Sequence, residues 1–414
     1  MGEKTTMSDK VSFTVVPEGT VTTPKGFRAG GLHCGLKKTE RYDLGAILCD
    51  VPASAAGVYT LNAFQAAPLR VTQESIAHSG KLQAMIVNSG NANACTGQQG
   101  EDDARAMRAA SAKALGVAEH HVGVTSTGVI GELLPMSKVL SGIEQLPAKV
   151  KADGGEDFCQ AILTTDLVQK MTCVRVVVGG KEVHIAGAAK GSGMIHPNMA
   201  TMLGFMTTDV AIESEYLQLL LSRITDSTFN MITVDGDTST NDMVVVMASG
   251  LAGGDSLHPG HPDWEAFAAG FQYVGEYLAK AIARDGEGAT KLIETTVIGA
   301  ESDDAARKIV KSIIGSSLVK SAVYGADANW GRIIAAVGYS GQPVNVNTVD
   351  IRLGDIAVLE QSRPVKFDEE AALAYLKTDT IQIHVNLHMG EGKATGWGCD
   401  LTYDYVRINA AYRT

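Results

Sequence analysis

No run in this 414-residue chain approaches the roughly 18 apolar residues that a membrane-spanning helix needs. Basic clusters are also missing. The 35 Lys and Arg are outnumbered by 46 Asp and Glu, and the net charge of −11 argues against a nucleic-acid partner. The six cysteines, Cys34, Cys49, Cys95, Cys159, Cys173 and Cys399, include no C-x-x-C pair, so zinc or dithiol chemistry is not expected. The opening "MGEKTTMSDK" lacks the apolar core of a secretory signal. Gly2 and Thr6 fit a myristoylation pattern loosely, but Glu3 and the absence of a second membrane signal count against it. The expectation is a cytoplasmic protein with no metal, membrane or nucleic-acid partner.

Familiar catalytic signatures are absent too. "DGEGATK" (285–291) ends in Thr-Lys, where a Walker A loop needs Lys before Ser or Thr. There is no G-x-S-x-G elbow and no H-E-x-x-H. His258 and His261 form an H-x-x-H, but in a Pro/Gly turn without a nearby carboxylate cluster, so a solvated loop is expected there.

What the chain does have is a globular composition, 45% hydrophobic and 20% charged, with 45 glycines. Helical periodicity predicts helices over 101–115, 214–225, 262–284 and 303–314, the last capped by Ser302 and ended by Gly315. β-branched runs predict strands at 82–88, 173–179, 182–188, 243–249, 292–299, 350–360 and 380–388. The tail 399–409 places Leu401, Tyr403 and Tyr405 on one side at a two-residue period, as in a strand. This order suits layered α/β or α+β sheets better than a simple βαβ alternation.

Six small-polar, glycine-rich segments remain: "NSGNANACTG" (88–97), "TSTGVIG" (125–131), "KGSGMIHPNMATMLGF" (190–205), "VDGDTSTND" (234–242), "DGEGATK" (285–291) and "YGADANWGR" (324–332). Any one of them reads as an ordinary turn. Together they could present backbone N–H groups and hydroxyls to a bound molecule.

Within the third segment, Thr201 raises a specific possibility. A Thr hydroxyl is a poor nucleophile unless a base adjoins it, and the residue's own α-amine can be that base. A free α-amine has a pKa of roughly 7.7–8, near working pH. An internal Thr gains one only if the chain breaks before it. The Thr201 hydroxyl can attack the Ala200 carbonyl and leave an ester that water splits. Gly191 and Gly193 could supply the permissive backbone, and "TMLGFM" reads as a buried strand that mounts the new terminus. A glycine-rich loop entering a core strand fits the same residues.

These motifs, with "INAAYRT" at the end, resemble the ornithine acetyltransferase (glutamate N-acetyltransferase) family over nearly the whole chain, from about Val15 to Thr414. The resemblance implies a mixed α/β (α+β) fold of two packed β-sheets flanked by helices, with a smaller additional α/β domain. That fold is similar to, but distinct from, the N-terminal-nucleophile hydrolases. It implies transfer of acetyl from N-acetylornithine to glutamate in arginine biosynthesis, without a cofactor, and with acetyl-CoA open as a co-substrate. It also implies cleavage between Ala200 and Thr201 into segments 1–200 and 201–414. These would stay together and pair into a heterotetramer of two alpha and two beta chains.

Site residues carry over by motif. Thr201 matches the nucleophile, and Thr127 and Gly128 match the oxyanion hole. Lys190 matches a ligand for a substrate carboxylate, and Glu287 an acid suited to the ornithine ammonium. Thr164 matches a substrate contact, with the register against Thr165 open. Asn409 and Thr414 match C-terminal residues that close the site. One departure is "LVQK" (167–170), where the family usually has Thr and Pro before the Lys, which puts contacts just after Asp166 in doubt. A hydrolytic amidase or aminopeptidase of related architecture is the alternative, and a non-catalytic anion-binding protein a third.

Overall fold

The computed structural model describes residues 13–196 and 202–411. Within them, the larger sheet contains β1 (Phe13–Val15), β2 (Phe27–Leu32), β3 (Leu44–Tyr59), β4 (Lys81–Asn91), β5 (Val122–Val129), β6 (Lys170–Val178), β7 (Lys181–Lys190) and β8 (Leu203–Thr208). After β9 (Ile232–Thr233), which belongs to the other sheet, β10 (Met243–Ala248) completes it. The order is β1-β6-β7-β8-β10-β3-β4-β5, with β2 also paired to β3. The smaller sheet adds β11 (Leu292–Ala300), β12 (Asp350–Leu353), β13 (Ile356–Glu360), β14 (Arg363–Pro364), β15 (Thr380–Asn386) and β16 (Gly392–Cys399). Its order is β14-β13-β12-β15-β11-β16-β9. This is the mixed α/β, two-sheet architecture expected, with helices flanking both sheets.

Strand β8 lies in the middle of the larger sheet. Its residues "LGFMTT" are all buried. It runs antiparallel to β7 and parallel to β10, so backbone from both sides of position 200 pairs within one sheet. The helix Trp264–Arg284 packs on β6 and β7 on one side and on β11 and β16 on the other. Trp264, Phe267, Phe271, Val274, Leu278 and Ile282 are its buried stripe, as the helical spacing requires. Pro262 stands in the turn ahead of it. The helix Asp303–Gly315 starts as expected, with the Ser302 hydroxyl accepting from Ala305 N. Gly315 is its last residue, not its stop.

The long strand β3 was not legible from alternation. It is rich in Ala and Gly and lies between β10 and β4. Its pairing with β4 skips between Leu48 and Ala53, around Pro52, which has no N–H to give to a ladder. The expected 350–360 strand is a hairpin, β12 and β13, turned at Gly354 (φ 55°).

The tail corrects an expectation. Residues 403–410 form a helix, Tyr403–Ala410, where alternation predicted a strand. None of its residues is buried, so Leu401, Tyr403 and Tyr405 do not align toward a core, and their two-residue period carried no packing information. Among the described residues no helix is long and apolar enough to cross a membrane.

Candidate active site

A cavity of about 350 Å³ opens at the start of β8. Met202 and Leu203 line it, and six other parts of the chain converge there. Thr127 and Gly128 come from the end of β5, Thr164 and Thr165 from the loop before β6, and Lys190 from the end of β7. Asn241 and Asp242 precede β10, Glu287 follows the long helix, and Asn409 reaches in from the final helix.

Gly128 is required by backbone conformation. Its φ is 137°, and a Cβ would run into the backbone of Gly90 and Asn91, where the β4–β5 register shifts. Asn241 locks the facing segment, because its Nδ2 donates to Ala92 O at 2.6 Å and to Ser126 O at 2.8 Å. These bonds hold the Thr127–Gly128 corner against the segment that leads into β10.

Lys190 is 8% exposed, and its Nζ donates to Thr127 Oγ1 at 3.4 Å. Burial draws its pKa down and Lys170 adds to this, while the carboxylates of Asp166, Asp242 and Glu287 oppose. An anion entering the cavity finds a desolvated ammonium with no carboxylate in direct contact among the described residues, an arrangement suited to a substrate carboxylate.

Beneath the cavity lies a buried ion triad. Lys170 Nζ is 2.7 Å from Asp166 Oδ1 and 2.6 Å from Asp285 Oδ2. Asp166 also accepts from Gly191 N at 2.7 Å and from Thr164 N at 3.0 Å. Asp285 accepts from Leu167 N and Val168 N, and its carbonyl accepts from Ser192 Oγ. One ammonium therefore ties together the Thr164 loop, the segment after Lys190 and the turn that carries Glu287. Burial alone would raise the Asp166 carboxyl, but Lys190, Lys170 and the Gly191 amide hold it well below the usual carboxylate range.

The segment after Lys190 is held by carboxylates as well. Met194 N and Ile195 N donate to Asp235 at 2.7 and 2.9 Å. Met194 is left-handed (φ 56°), and Gly191 has a positive φ of 157° that L side chains rarely adopt. Gly193 serves close approach, since a Cβ there would meet the Glu287 carboxylate. Gly191 thus combines the permissive backbone expected of it with an anchoring amide, and Gly193 provides clearance.

The family follows from the comparison with known proteins. Residues 28–414 match the ArgJ family. This chain belongs to the ArgJ family. It is 63% identical over 397 residues to the arginine biosynthesis bifunctional protein ArgJ of Halalkalibacterium halodurans, covering 96% of each chain. It is 61% identical over 410 residues to the ArgJ protein of Geobacillus kaustophilus, covering 99% of this chain and 100% of the relative. Among solved structures, ornithine acetyltransferase of Mycobacterium tuberculosis, complexed with ornithine, is 38% identical. The match covers 45% of this chain and 100% of that one, with a TM-score of 0.43.

In this ArgJ-family cavity Thr127, Gly128, Thr164, Lys190, Glu287 and Asn409 are brought together from sequence positions 282 residues apart at the extremes (127 to 409). Thr165 lines the cavity beside Thr164, so both remain in reach. Thr201, Ala200 and Thr414 lie outside the described residues. The departure at "LVQK" falls on outward side chains. Leu167 and Val168 are 82% and 53% exposed, and only their backbone amides reach Asp285. His258 and His261 stay in a turn, each accepting a backbone N–H through Nδ1. Sequence reasoning gave no site role to Asp166, Lys170, Asp235, Asn241 or Asp242. The i, i+4 acid–base pair in "DLVQK" and the flagged "VDGDTSTND" segment were the available signals.

Proposed function

We propose that the chain is a self-processing acetyltransferase of arginine biosynthesis. Its Thr201 hydroxyl first attacks the Ala200 carbonyl, and water splits the resulting ester, leaving segments 1–200 and 201–414 associated in one fold. The freed α-amine of Thr201 then acts as base. It takes the hydroxyl proton as Oγ attacks the acetyl carbonyl of N-acetylornithine, and it returns that proton to the departing ornithine nitrogen. Glutamate reverses the sequence and leaves as N-acetylglutamate. Thr127 and Gly128 face the developing oxyanion, and losing one such donor typically costs about 2.7–4 kcal/mol. Lys190 pairs with the substrate carboxylate, Glu287 with its ammonium, and Thr164 and Asn409 bound the pocket. Thr414 completes closure.

The observation that carries this reading is the cavity itself. The Thr127–Gly128 corner, one desolvated cation and the carboxyl groups of Glu287 and Asp242 surround the start of β8, and Met202, which follows Thr201 in sequence, is part of the wall. Strands from both segments pair across β7, β8, β10 and β3, which supports segments that remain together after a cut.

Both half-reactions are acyl transfers and use no cofactor. The second activity we assign is acetylation of glutamate with acetyl-CoA as co-substrate, in line with the bifunctional relatives. The protein works in the cytoplasm as a heterotetramer of two alpha and two beta segments. Intact mass spectrometry before and after addition of N-acetylornithine tests the core of this. Two fragments divided before Thr201, with one acetyl gained on the second, are expected. An uncut chain or a different cut position sinks the processing claim, and free acetate without N-acetylglutamate points to an amidase. Thr201→Ala blocks both steps, whereas Thr201→Ser keeps a measurable part of each.

A further inference from the structure

The loop 33–43 between β2 and β3 reads "HCGLKKTERYD" and has no part in the acyl transfer described above. Its shape is fixed from within. The buried carboxylate of Asp43 accepts the backbone N–H groups of Cys34, Gly35, Leu36 and Lys37 at distances between 2.7 and 3.2 Å. Its Oδ2 also lies 2.8 Å from His33 Nδ1. Four consecutive amides on one carboxylate hold the loop in a single arc. In the sequence Lys37, Lys38 and Arg41 alternate with Glu40 and Asp43 and make no basic run. In the fold Asp43 is consumed by its amides, which leaves a half-buried Lys37 and exposed Lys38 and Arg41 against exposed Glu40.

Both flanks of the loop touch the wall of the active site. Lys37 Nζ donates to Leu163 O at 2.8 Å and to Tyr42 O at 2.6 Å, and the Arg41 guanidinium reaches Thr164 O at 3.5 Å. Thr164 lines the cavity. On the other flank a Cβ on Gly90 would come within 3.5 Å of the Leu36 backbone and of Lys37 Cγ, and Gly90 is the residue that a Cβ on Gly128 would strike. Lys138, from the helix Met136–Gln145, adds a fourth cation, and its Nζ donates to Gly35 O at 2.8 Å. Among the described residues none of these four cations lies in a salt bridge. In a chain of net charge −11 the rim is a local reversal of sign. Burial draws the Lys37 ammonium down to about 8, and Arg41 and Lys190 add to this while Asp43 and Asp166 oppose. The loop and Lys190 therefore feel each other's charge.

None of the four cations lines the cavity itself. The carboxylate of N-acetylornithine or glutamate meets Lys190 inside, so the rim serves an anionic group that stays outside. Small-molecule pockets run from roughly 300 to 1,000 Å³, and this one, at about 350 Å³, suits an acylated amino acid. A coenzyme A thioester is several times larger. Its acetyl end can enter, but its pyrophosphate and 3′-phosphate, at the far end of the pantetheine arm, must lie on the surface.

We propose that Lys37, Lys38, Arg41 and Lys138 form a phosphate-binding rim that holds the nucleotide phosphates of acetyl-CoA while its thioester enters the cavity. This rests on the acetyl-CoA activity assigned above and gives that activity its binding site. Arg41 offers a planar fork to a phosphate, and the lysines act as point charges. The rim leaves transfer from N-acetylornithine untouched, because that donor carries no phosphate.

The test compares donors on one enzyme, with glutamate as acceptor. Lys38→Gln and Arg41→Gln are combined. Arg41 makes only two long side-chain bonds, at 3.4 and 3.5 Å, and Lys38 is exposed. KM for acetyl-CoA should rise about 10-fold or more, the usual effect of losing hydrogen bonds to a charged group. The value of kcat/KM for N-acetylornithine should stay within about twofold. S-acetylpantetheine, a thioester without phosphate, should serve wild type and variant equally. In the wild type, KM for acetyl-CoA should climb with salt and that for S-acetylpantetheine should not. An unchanged KM for acetyl-CoA in the variant overturns the proposal. So does an equal loss with all three donors, which marks a displaced Thr164 loop. A wild type that makes N-acetylglutamate from N-acetylornithine but not from acetyl-CoA overturns the co-substrate reading, and the proposal with it. That failure shows in the wild type and the others in the variant, which keeps them apart. Should the double variant not fold, Lys38→Gln alone decides. A rise of about threefold in KM for acetyl-CoA only supports the rim, and no change overturns it.

Discussion

Asn409 donates from Nδ2 to Glu287 Oε2 at 2.8 Å, joining the final helix to the turn after the long helix. The final helix buries none of its own side chains, and Tyr403 and Val406 are 83% and 65% exposed. Polar contacts hold it instead. Thr402 Oγ1 donates to Gly288 O at 2.7 Å, and Tyr405 hydrogen-bonds Asp235, the carboxylate that also holds Met194 and Ile195. Asn409→Ala should therefore raise KM for N-acetylornithine by about tenfold. Its effect on the unfolding free energy should stay within about 0.5 kcal/mol, as for an exposed site. Kinetics and urea unfolding on one preparation check this, and a large stability loss with unchanged KM would contradict it.

Gly128 cannot accept a side chain where it stands. Gly128→Ala places a Cβ against the backbone of Gly90 and Asn91 at φ 137°, so the corner must move. Acetyl transfer should fall by about 100- to 1000-fold, the usual effect of losing one oxyanion donor. Single-turnover formation of the acetyl-enzyme is the appropriate measurement.

Lys170→Met leaves Asp166 and Asp285 buried without their shared cation. Breaking a buried ion pair from one side costs about 3–5 kcal/mol. Chemical denaturation should show that loss. The Thr164 loop and the Glu287 turn, both anchored by the triad, should also lose protection in hydrogen exchange.

The same triad sets an acid limit. The folded carboxyl of Asp166 titrates below its unfolded value of about 3.9, because Lys190 and Lys170 outweigh burial. Its stabilising contribution is complete above about pH 5 and is lost as pH falls through the unfolded and then the folded pKa. Urea unfolding at pH 7, 5 and 3.5 should show wild type losing stability more steeply below pH 5 than Asp166→Asn. Equal slopes would remove Asp166 from this role.

Much of the site was legible because its residues sit in compact motifs. "TSTG", "AAKGSG" and "DGEG" each carry a site residue next to the glycine that gives it access. The helix 262–284 was legible because one face repeats large apolar residues at helical spacing. The strand β3 was not, because a central strand of Ala and Gly shows neither alternation nor a long β-branched run. The tail was misread because alternation without a core to face has no structural force.

The sequence by itself determined the candidate chemistry: a Thr after a small residue, a Thr-Gly pair, one lysine and one glutamate in glycine-rich contexts. It also determined the period of the long helix, since 3.6-residue spacing of large apolar groups is a local property of the chain. Only the tertiary structure decided which residues support that chemistry. Asp166 and Asp285 are 119 positions apart, and a shared ammonium acquires its strength only once burial removes water from all three groups. Asp242 became distinctive for the same reason, because a carboxylate oxygen is left unpaired only where a fold has closed around it.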